Sequence, residues 1–177
     1  MGWRGRRPAS PQGARMGDWL LRRRGLALLL VLTLLLNLGA LGLEYLADMP
    51  PCPLCWVQRG VFGLMSLVAL VGLVYFPRGW GRWPLAGALG LSALTGVIIA
   101  LRHLYIQANP DAVSCGMSPE VLAQFLPWWE VLLEILSGTT DCTQVDAVLG
   151  VPLPGWTLVG YLALGALGLY AVLARRA

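Results

Sequence analysis

Apolar residues in this chain do not alternate with polar ones; they run on for the width of a bilayer, four times. The runs cover about 26–47, 60–76, 85–101 and 156–174, and Glu44 is the only acidic residue within them. A helix crossing the hydrocarbon core needs about 20 apolar residues. The second span is therefore extended back to Pro53 and the third forward to Ile106, giving expected spans of about 26–47, 53–76, 84–106 and 156–174. The links Asp48–Pro51 and Pro77–Trp83 are short, so neighbouring helices should be antiparallel. Small residues such as Gly160, Gly165 and Gly168 in the fourth span suit close helix packing.

The pattern changes in the long loop, about 107–155. Within Pro119–Leu136, Val121, Leu122, Phe125, Trp128, Trp129, Leu132 and Ile135 recur at helical spacing, while Glu120, Gln124, Glu130 and Glu134 take the other face. Three glutamates exclude a fifth span, and Pro127 interrupts the segment. A short amphipathic helix lying on the membrane fits it; the alternative is a helix docked on the bundle. No basic residue occurs between Gln107 and Gly155, so apolar burial rather than attraction to anionic lipid must hold it. The fold class is an all-α membrane protein, a four-transmembrane-helix bundle whose long loop carries a short amphipathic helix.

Composition agrees. Of 177 residues, 57% are hydrophobic and 12% charged, about half the charged fraction of a soluble domain. All thirteen cations are arginine. Seven precede the first span, Arg78 and Arg82 lie between spans two and three, and Arg175 and Arg176 end the chain. The positive-inside rule makes those segments cytoplasmic and puts both termini inside. Eight of the nine acidic residues, all but Asp18, fall on the opposite side. The expected division is an Arg-rich cytoplasmic segment over 1–24 and a membrane domain over 25–175. Residues 1–15 are expected to be disordered, and Met16 is a plausible alternative start. The first apolar run is longer than a signal peptide's core and lacks a clean small-x-small cleavage site, so an uncleaved span is expected. Arg22–Arg24 are taken as a cytoplasmic anchor rather than a twin-arginine signal. The net charge of +4 follows from topology and points to no nucleic acid.

Four cysteines carry the candidate chemistry. Cys52 and Cys55 form a C-x-x-C at the outer start of span two, and Cys115 and Cys142 lie in the long loop. This topology sets all four on the side where disulfides persist. A thiolate in a helix's first turn is stabilised by unpaired N–H groups and the positive end of the dipole. Pro53 is tolerated there because its missing N–H had no partner. Arg59 lies four residues after Cys55, within reach of its thiolate. A cation inside a span is by default functional, although Arg59 could instead snorkel to headgroups. Arg102 and His103, at the outer end of span three, are either interfacial anchors or part of a site. Zinc is not expected, because the second cysteine pair is separated by 26 intervening residues and the single histidine sits at a helix end. Cys115 and Cys142 could form a structural loop disulfide, worth about 3 kcal/mol in the chain-entropy view. The same bond could equally be exchangeable. A Cys52–Cys55 ring constrains almost nothing, so that pair reads as redox-active.

Pro51-Cys52-Pro53-Leu54-Cys55-Trp56-Val57-Gln58-Arg59 resembles the signature of the DsbB family, quinone-linked disulfide-generating proteins of bacterial membranes. The likeness extends over about 20–175 and includes Ser114-Cys115, Asp141-Cys142 and the Pro-x-Pro-Gly-Trp entry at Pro152–Trp156. It implies an inner-membrane enzyme with periplasmic cysteines. A periplasmic DsbA-like thioredoxin-fold dithiol would attack the Cys115–Cys142 disulfide at Cys115. Cys142 would then pass electrons to Cys52. Cys55 would face a bound quinone, ubiquinone or menaquinone, with Arg59 stabilising the developing charge. Arg102 or His103 would match a polar residue beside the quinone; Gln58, acidic in some members, is assigned no role. The strongly oxidising poise of such a partner comes with the resemblance and is not a magnitude obtained from this chain. Vitamin K epoxide reductase-like enzymes also use four spans and two cysteine pairs, but in the reverse order. A non-catalytic scaffold would keep only a structural loop disulfide. A small transporter finds no support in broken helices or a buried acid network.

Overall fold

The computed structural model describes residues 11–46, 48, 51–75, 79–113 and 119–173. Cys115 lies outside them, as do Arg4, Arg6, Arg7, Arg78, Arg175 and Arg176. Four helices are long and apolar enough to cross a membrane: α1 (Pro11–Leu46), α2 (Pro53–Tyr75), α3 (Arg82–Ala108) and, after the loop, α6 (Leu153–Leu173). The fold is the expected all-α four-span bundle. α1 starts well before its apolar run, so helix replaces the disorder expected over residues 11–15. Proline suits a first turn, and the Gln, Ala, Arg, Met and Leu that follow favour helix without needing a bilayer.

The four long helices close a ring in which α1 packs on α2, α2 on α3, α3 on α6 and α6 back on α1. Leu26, Leu29, Met65, Leu89 and Tyr161 fill its centre. Close approach depends on small residues: a Cβ on Gly96 would overlap the Tyr161 ring, and one on Gly165 would come within 2.6 Å of Ala93. The Tyr161 ring in turn stacks on Phe62 with centroids 4.1 Å apart. One buried hydroxyl pair is satisfied between α1 and α2, as lipid requires. Ser66 donates to Thr33 Oγ1 at 2.7 Å, and Thr33 donates to the Leu29 carbonyl at 2.9 Å. Outward positions such as Leu34, Leu38, Leu67, Val74, Leu91 and Ile98 are exposed aliphatics, a surface suited to acyl chains.

The loop lies across the end of the bundle that bears Cys52. α4 (Pro119–Phe125) and α5 (Trp128–Ser137) are separated at Pro127, whose extended backbone precedes α5. Only Leu122 and Val131 of this pair are buried apolar residues. Phe125 and Trp128 are each 74% exposed and Leu133 65%. These three side chains are not packed on the helices. Two short antiparallel strands, β1 (Ala147–Val148) and β2 (Val151–Pro152), then turn the chain directly into α6. Leu149 and Gly150 make the turn with positive φ of 54° and 78°, the geometry of a two-residue hairpin matched to strand twist.

Candidate functional site

α2 begins at Pro53, so Cys52 immediately precedes the first turn and Cys55 is its third residue. The Cys52 carbonyl accepts from the Trp56 N–H at 3.2 Å, which makes Cys52 the cap of the helix. The two sulfurs lie 3.2 Å apart, so about 1 Å of movement closes a disulfide. Leu54 between them is fully buried and holds the motif against the bundle.

The loop brings a third sulfur to the same place. Cys142 is fully buried in a single turn of tight helix at Thr140–Thr143, where its N–H donates to the Thr139 carbonyl at 2.9 Å. Three hydrogen bonds tie the loop down nearby. Arg102 donates to the Ser137 carbonyl at 2.8 Å, Gln107 to the Gln144 carbonyl at 2.9 Å, and the Trp156 indole to the Val148 carbonyl at 3.0 Å. The Cys52 and Cys142 sulfurs and a His103 ring nitrogen all lie within 4.8 Å of one another, with Cys52 Sγ 3.7 Å from His103 Nε2. That donor set could take a thiophilic ion, but its sulfurs are also the atoms a thiol relay needs.

The two thiols that meet here are electrostatically unlike. A hydrogen bond from Cys52, helped by the backbone N–H groups of Thr139 and Leu54, lowers the Cys142 pKa to about 6 against the opposing effect of burial. Cys52 moves the other way, because its proton is held between Cys142 and Cys55 and because it is buried. With all the thiols reduced, Cys142 is thus the sulfur readier to exist as thiolate, the nucleophilic form.

Beneath the sulfurs lies a cavity of about 810 Å³, walled by α1, α2 and α6 and roofed by loop residues. Leu35, Leu36, Leu43, Phe62 and Trp156 supply apolar lining, while Cys52, Cys55, Gln58, Arg59 and His103 supply the polar edge. Its size falls within the usual range of small-molecule sites. The Arg59 guanidinium forms an ion pair with Glu44 of α1, donates to the Ala40 carbonyl at 2.9 Å and lies 5.7 Å from the Trp56 ring centroid. It neither snorkels outward nor rests on Cys55 alone.

Of the residues singled out from sequence, Cys52, Cys55, Cys142, Arg59 and His103 come together. Arg102 lies apart from them: it donates to the Ser137 carbonyl, lies 5.5 Å from the Tyr105 ring centroid and does not line the cavity. Adjacent helical residues point about 100° apart, so only one of Arg102 and His103 can face inward. Sequence reasoning missed Glu44 as the partner of Arg59, although an acid near the same end of the neighbouring span was the available signal. It also passed over Gln58, which is 3% exposed, and its α6 neighbours Thr157 and Tyr161.

A four-span bundle that gathers thiols from a helix cap and a docked loop at the mouth of an apolar cavity defines a class: integral-membrane thiol oxidoreductases. Residues 22–171 match the family described as Disulfide bond formation protein DsbB. The chain is 40% identical to disulfide bond formation protein B of Marinobacter nauticus over 136 residues, covering 75% of this chain and 81% of that protein. It is 36% identical to the protein of that name from Chromohalobacter salexigens, over 80% of this chain and 85% of the relative. The corresponding protein of Nitrosospira multiformis is 38% identical, over 77% and 82%. No solved structure matches. This chain belongs to the DsbB family.

Proposed function

We propose that this protein reoxidises a DsbA-like dithiol protein in the bacterial periplasm and passes its electrons to membrane quinone. Both termini are then cytoplasmic and the cysteines periplasmic, a placement that the arginine distribution supports. The observation that carries the proposal is that Cys142 meets Cys52, which with Cys55 lines one largely apolar cavity.

The thiol steps balance as exchanges. A partner thiolate attacks Cys115 in the Cys115–Cys142 disulfide, forming a mixed disulfide and releasing Cys142 as thiolate. The partner's second thiol resolves that bond, so the partner leaves as disulfide and Cys115 as thiol. Cys142 then attacks Cys52 in the Cys52–Cys55 disulfide and releases Cys55. Cys115 resolves the Cys142–Cys52 bond, which restores the loop disulfide and leaves Cys52 and Cys55 reduced. With Cys52 in its disulfide and no longer a donor, the backbone N–H groups of Thr139 and Leu54 remain to favour the Cys142 thiolate that attacks.

The residues present fit a quinone. The cavity is large enough for a ring and the start of its tail, its walls are mostly apolar, and Cys55, Arg59 and His103 share its edge. A bound quinone supplies a sink for two electrons and two protons, which is what returning the Cys52–Cys55 dithiol to a disulfide requires. Arg59 lends positive charge at that edge, moderated by Glu44.

The test is anaerobic mixing of detergent-purified protein with a reduced thioredoxin-like dithiol protein and a short-chain quinone, followed by non-reducing mass mapping of the cysteines. Partner disulfide and quinol should form in equal amounts. Cys115→Ala should stop partner oxidation while quinone still oxidises Cys52 and Cys55. Full turnover by Cys115→Ala would overturn the relay. No turnover by the wild type, with loss of Cys52 or Cys55 altering stability alone, would leave a scaffold.

A further inference from the structure

Gln58 lies in the interior of the bundle, one helical step from Arg59 and a turn below Cys55. Its side chain is 3% exposed and lines the cavity. Two contacts from α6 fix it. The Thr157 hydroxyl shares its single hydrogen between the Pro154 carbonyl at 3.0 Å and Gln58 Oε1 at 3.2 Å, and the Tyr161 hydroxyl donates to the Gln58 carbonyl at 2.7 Å. With Oε1 engaged, the amide nitrogen is what remains, and this buried Nε2 has no hydrogen-bond partner within the protein. A primary amide nitrogen carries two N–H donors. Buried donors in folded proteins are nearly always paired, so an orphan on a cavity wall calls for a partner inside the cavity.

That partner must be an acceptor, because the atom facing it can only donate. It must also tolerate the apolar lining that makes up the rest of the wall. Phosphate or carboxylate ligands fit poorly among Leu35, Leu36 and Phe62. A neutral ring carbonyl fits. His103 Nδ1 and Gln107 Oε1, on the same lining, are also without partners, so the polar edge offers more than one contact to a head group bearing two oxygens.

We infer that the Gln58 side-chain amide donates a hydrogen bond to a ring carbonyl of the quinone and positions its head group beside Cys55. This deepens the proposed function and rests on the cavity being the quinone site. Gln58 transfers no electron and no proton. It orients the ring, and its hydrogen bond strengthens as negative charge develops on the oxygen it holds. Thr157 is the positioning residue behind it: its hydroxyl occupies Oε1 and keeps the N–H groups turned toward the ligand.

The experiment measures binding, not turnover. Quenching of tryptophan fluorescence by a short-chain quinone, with Trp156 on the cavity wall, yields Kd for the wild type, Gln58→Leu, Gln58→Met and Thr157→Val. Infrared difference spectra of carbonyl-labelled quinone report the bond directly. The Gln58 variants should weaken Kd about tenfold, the cost of one lost hydrogen bond to a buried partner, and Thr157→Val about threefold. The bound carbonyl stretch, lowered in the wild type, should return toward its unbound frequency in Gln58→Leu. Two Gln58 replacements guard against a single misfolded variant, and thermal unfolding reports the fold of each. Wild-type Kd and carbonyl frequency in a folded Gln58 variant would overturn the role of Gln58 alone. A wild-type protein that binds no quinone would overturn the cavity assignment and this inference with it.

Discussion

Removing the carboxylate of Glu44 should cost stability that removing Arg59 as well restores, while quinone-linked turnover follows Arg59 only. Both side chains are about five-sixths buried, at 15% and 16% relative exposure. Breaking a buried ion pair from one side costs about 3–5 kcal/mol, because the surviving charge has lost its partner. Here the loss is reduced. Arg59 keeps the Ala40 carbonyl at 2.9 Å and its place 5.7 Å from the Trp56 ring centroid, and its residual exposure lets it reach toward the interface. Glu44→Gln should therefore destabilise by about 2 kcal/mol. The double variant Glu44→Gln/Arg59→Gln should return to within about 1 kcal/mol of wild type, since no unpaired charge remains. Reversible unfolding in mixed micelles, followed by tryptophan fluorescence, gives the four stabilities and hence the coupling energy. Reduction of quinone by the Cys52–Cys55 dithiol, assayed on the same four proteins, should be lost in both proteins lacking Arg59 and retained in Glu44→Gln. Coupling below about 0.5 kcal/mol, the scatter expected of independent sites, would refute the ion pair as a structural element. Wild-type turnover in the double variant would refute the role given to the arginine.

Two further outcomes follow from the same geometry. With Cys55 and Cys115 replaced by serine, ultraviolet thiolate absorbance should report Cys142 ionising near about 6. Adding Cys52→Ala removes the largest cause of the low value, so the midpoint should climb toward the ordinary thiol range near about 8.5; a midpoint unmoved by Cys52→Ala would refute the coupling. Gly96→Ala should destabilise the bundle by about 2 kcal/mol, because the added methyl overlaps the Tyr161 ring. Gly87→Ala, with open space around it, should stay within about 0.5 kcal/mol of wild type. Equal effects in the two unfolding measurements would mean that α3 and α6 do not pack as described.

The architecture was legible because a bilayer imposes length and hydrophobicity on each span, and those are properties of single segments. Four apolar runs, short links and an arginine bias suffice for a four-helix bundle without knowing any contact between helices. The C-x-x-C was legible for a similar reason: its chemistry follows from the helix start, and Pro53 marks that start. The split of the loop helix was carried by Pro127, again a local signal. Only the beginning of α1 was misjudged, because composition read as disorder was also compatible with helix.

The unread part of the site consists of contacts between helices that a hydropathy pattern leaves unspecified. α6 is apolar on every face, so nothing in its pattern says which side turns inward, and Thr157 and Tyr161 look like incidental polar residues in a span. Once rotation is known they become the two contacts that fix Gln58. The same holds for Arg59. In sequence its nearest chemical partner is Cys55, one turn away, yet the ion pair forms with Glu44 fifteen residues back across the helix interface. The consequence for mechanism is physical. An arginine balanced by a carboxylate adds little net charge to the cavity in the resting state, so anionic character developing beside Cys55 must compete with Glu44 for the guanidinium. The pair thereby sets how much positive field the cavity edge offers, which is why the carboxylate and the arginine must be varied together to learn what either does.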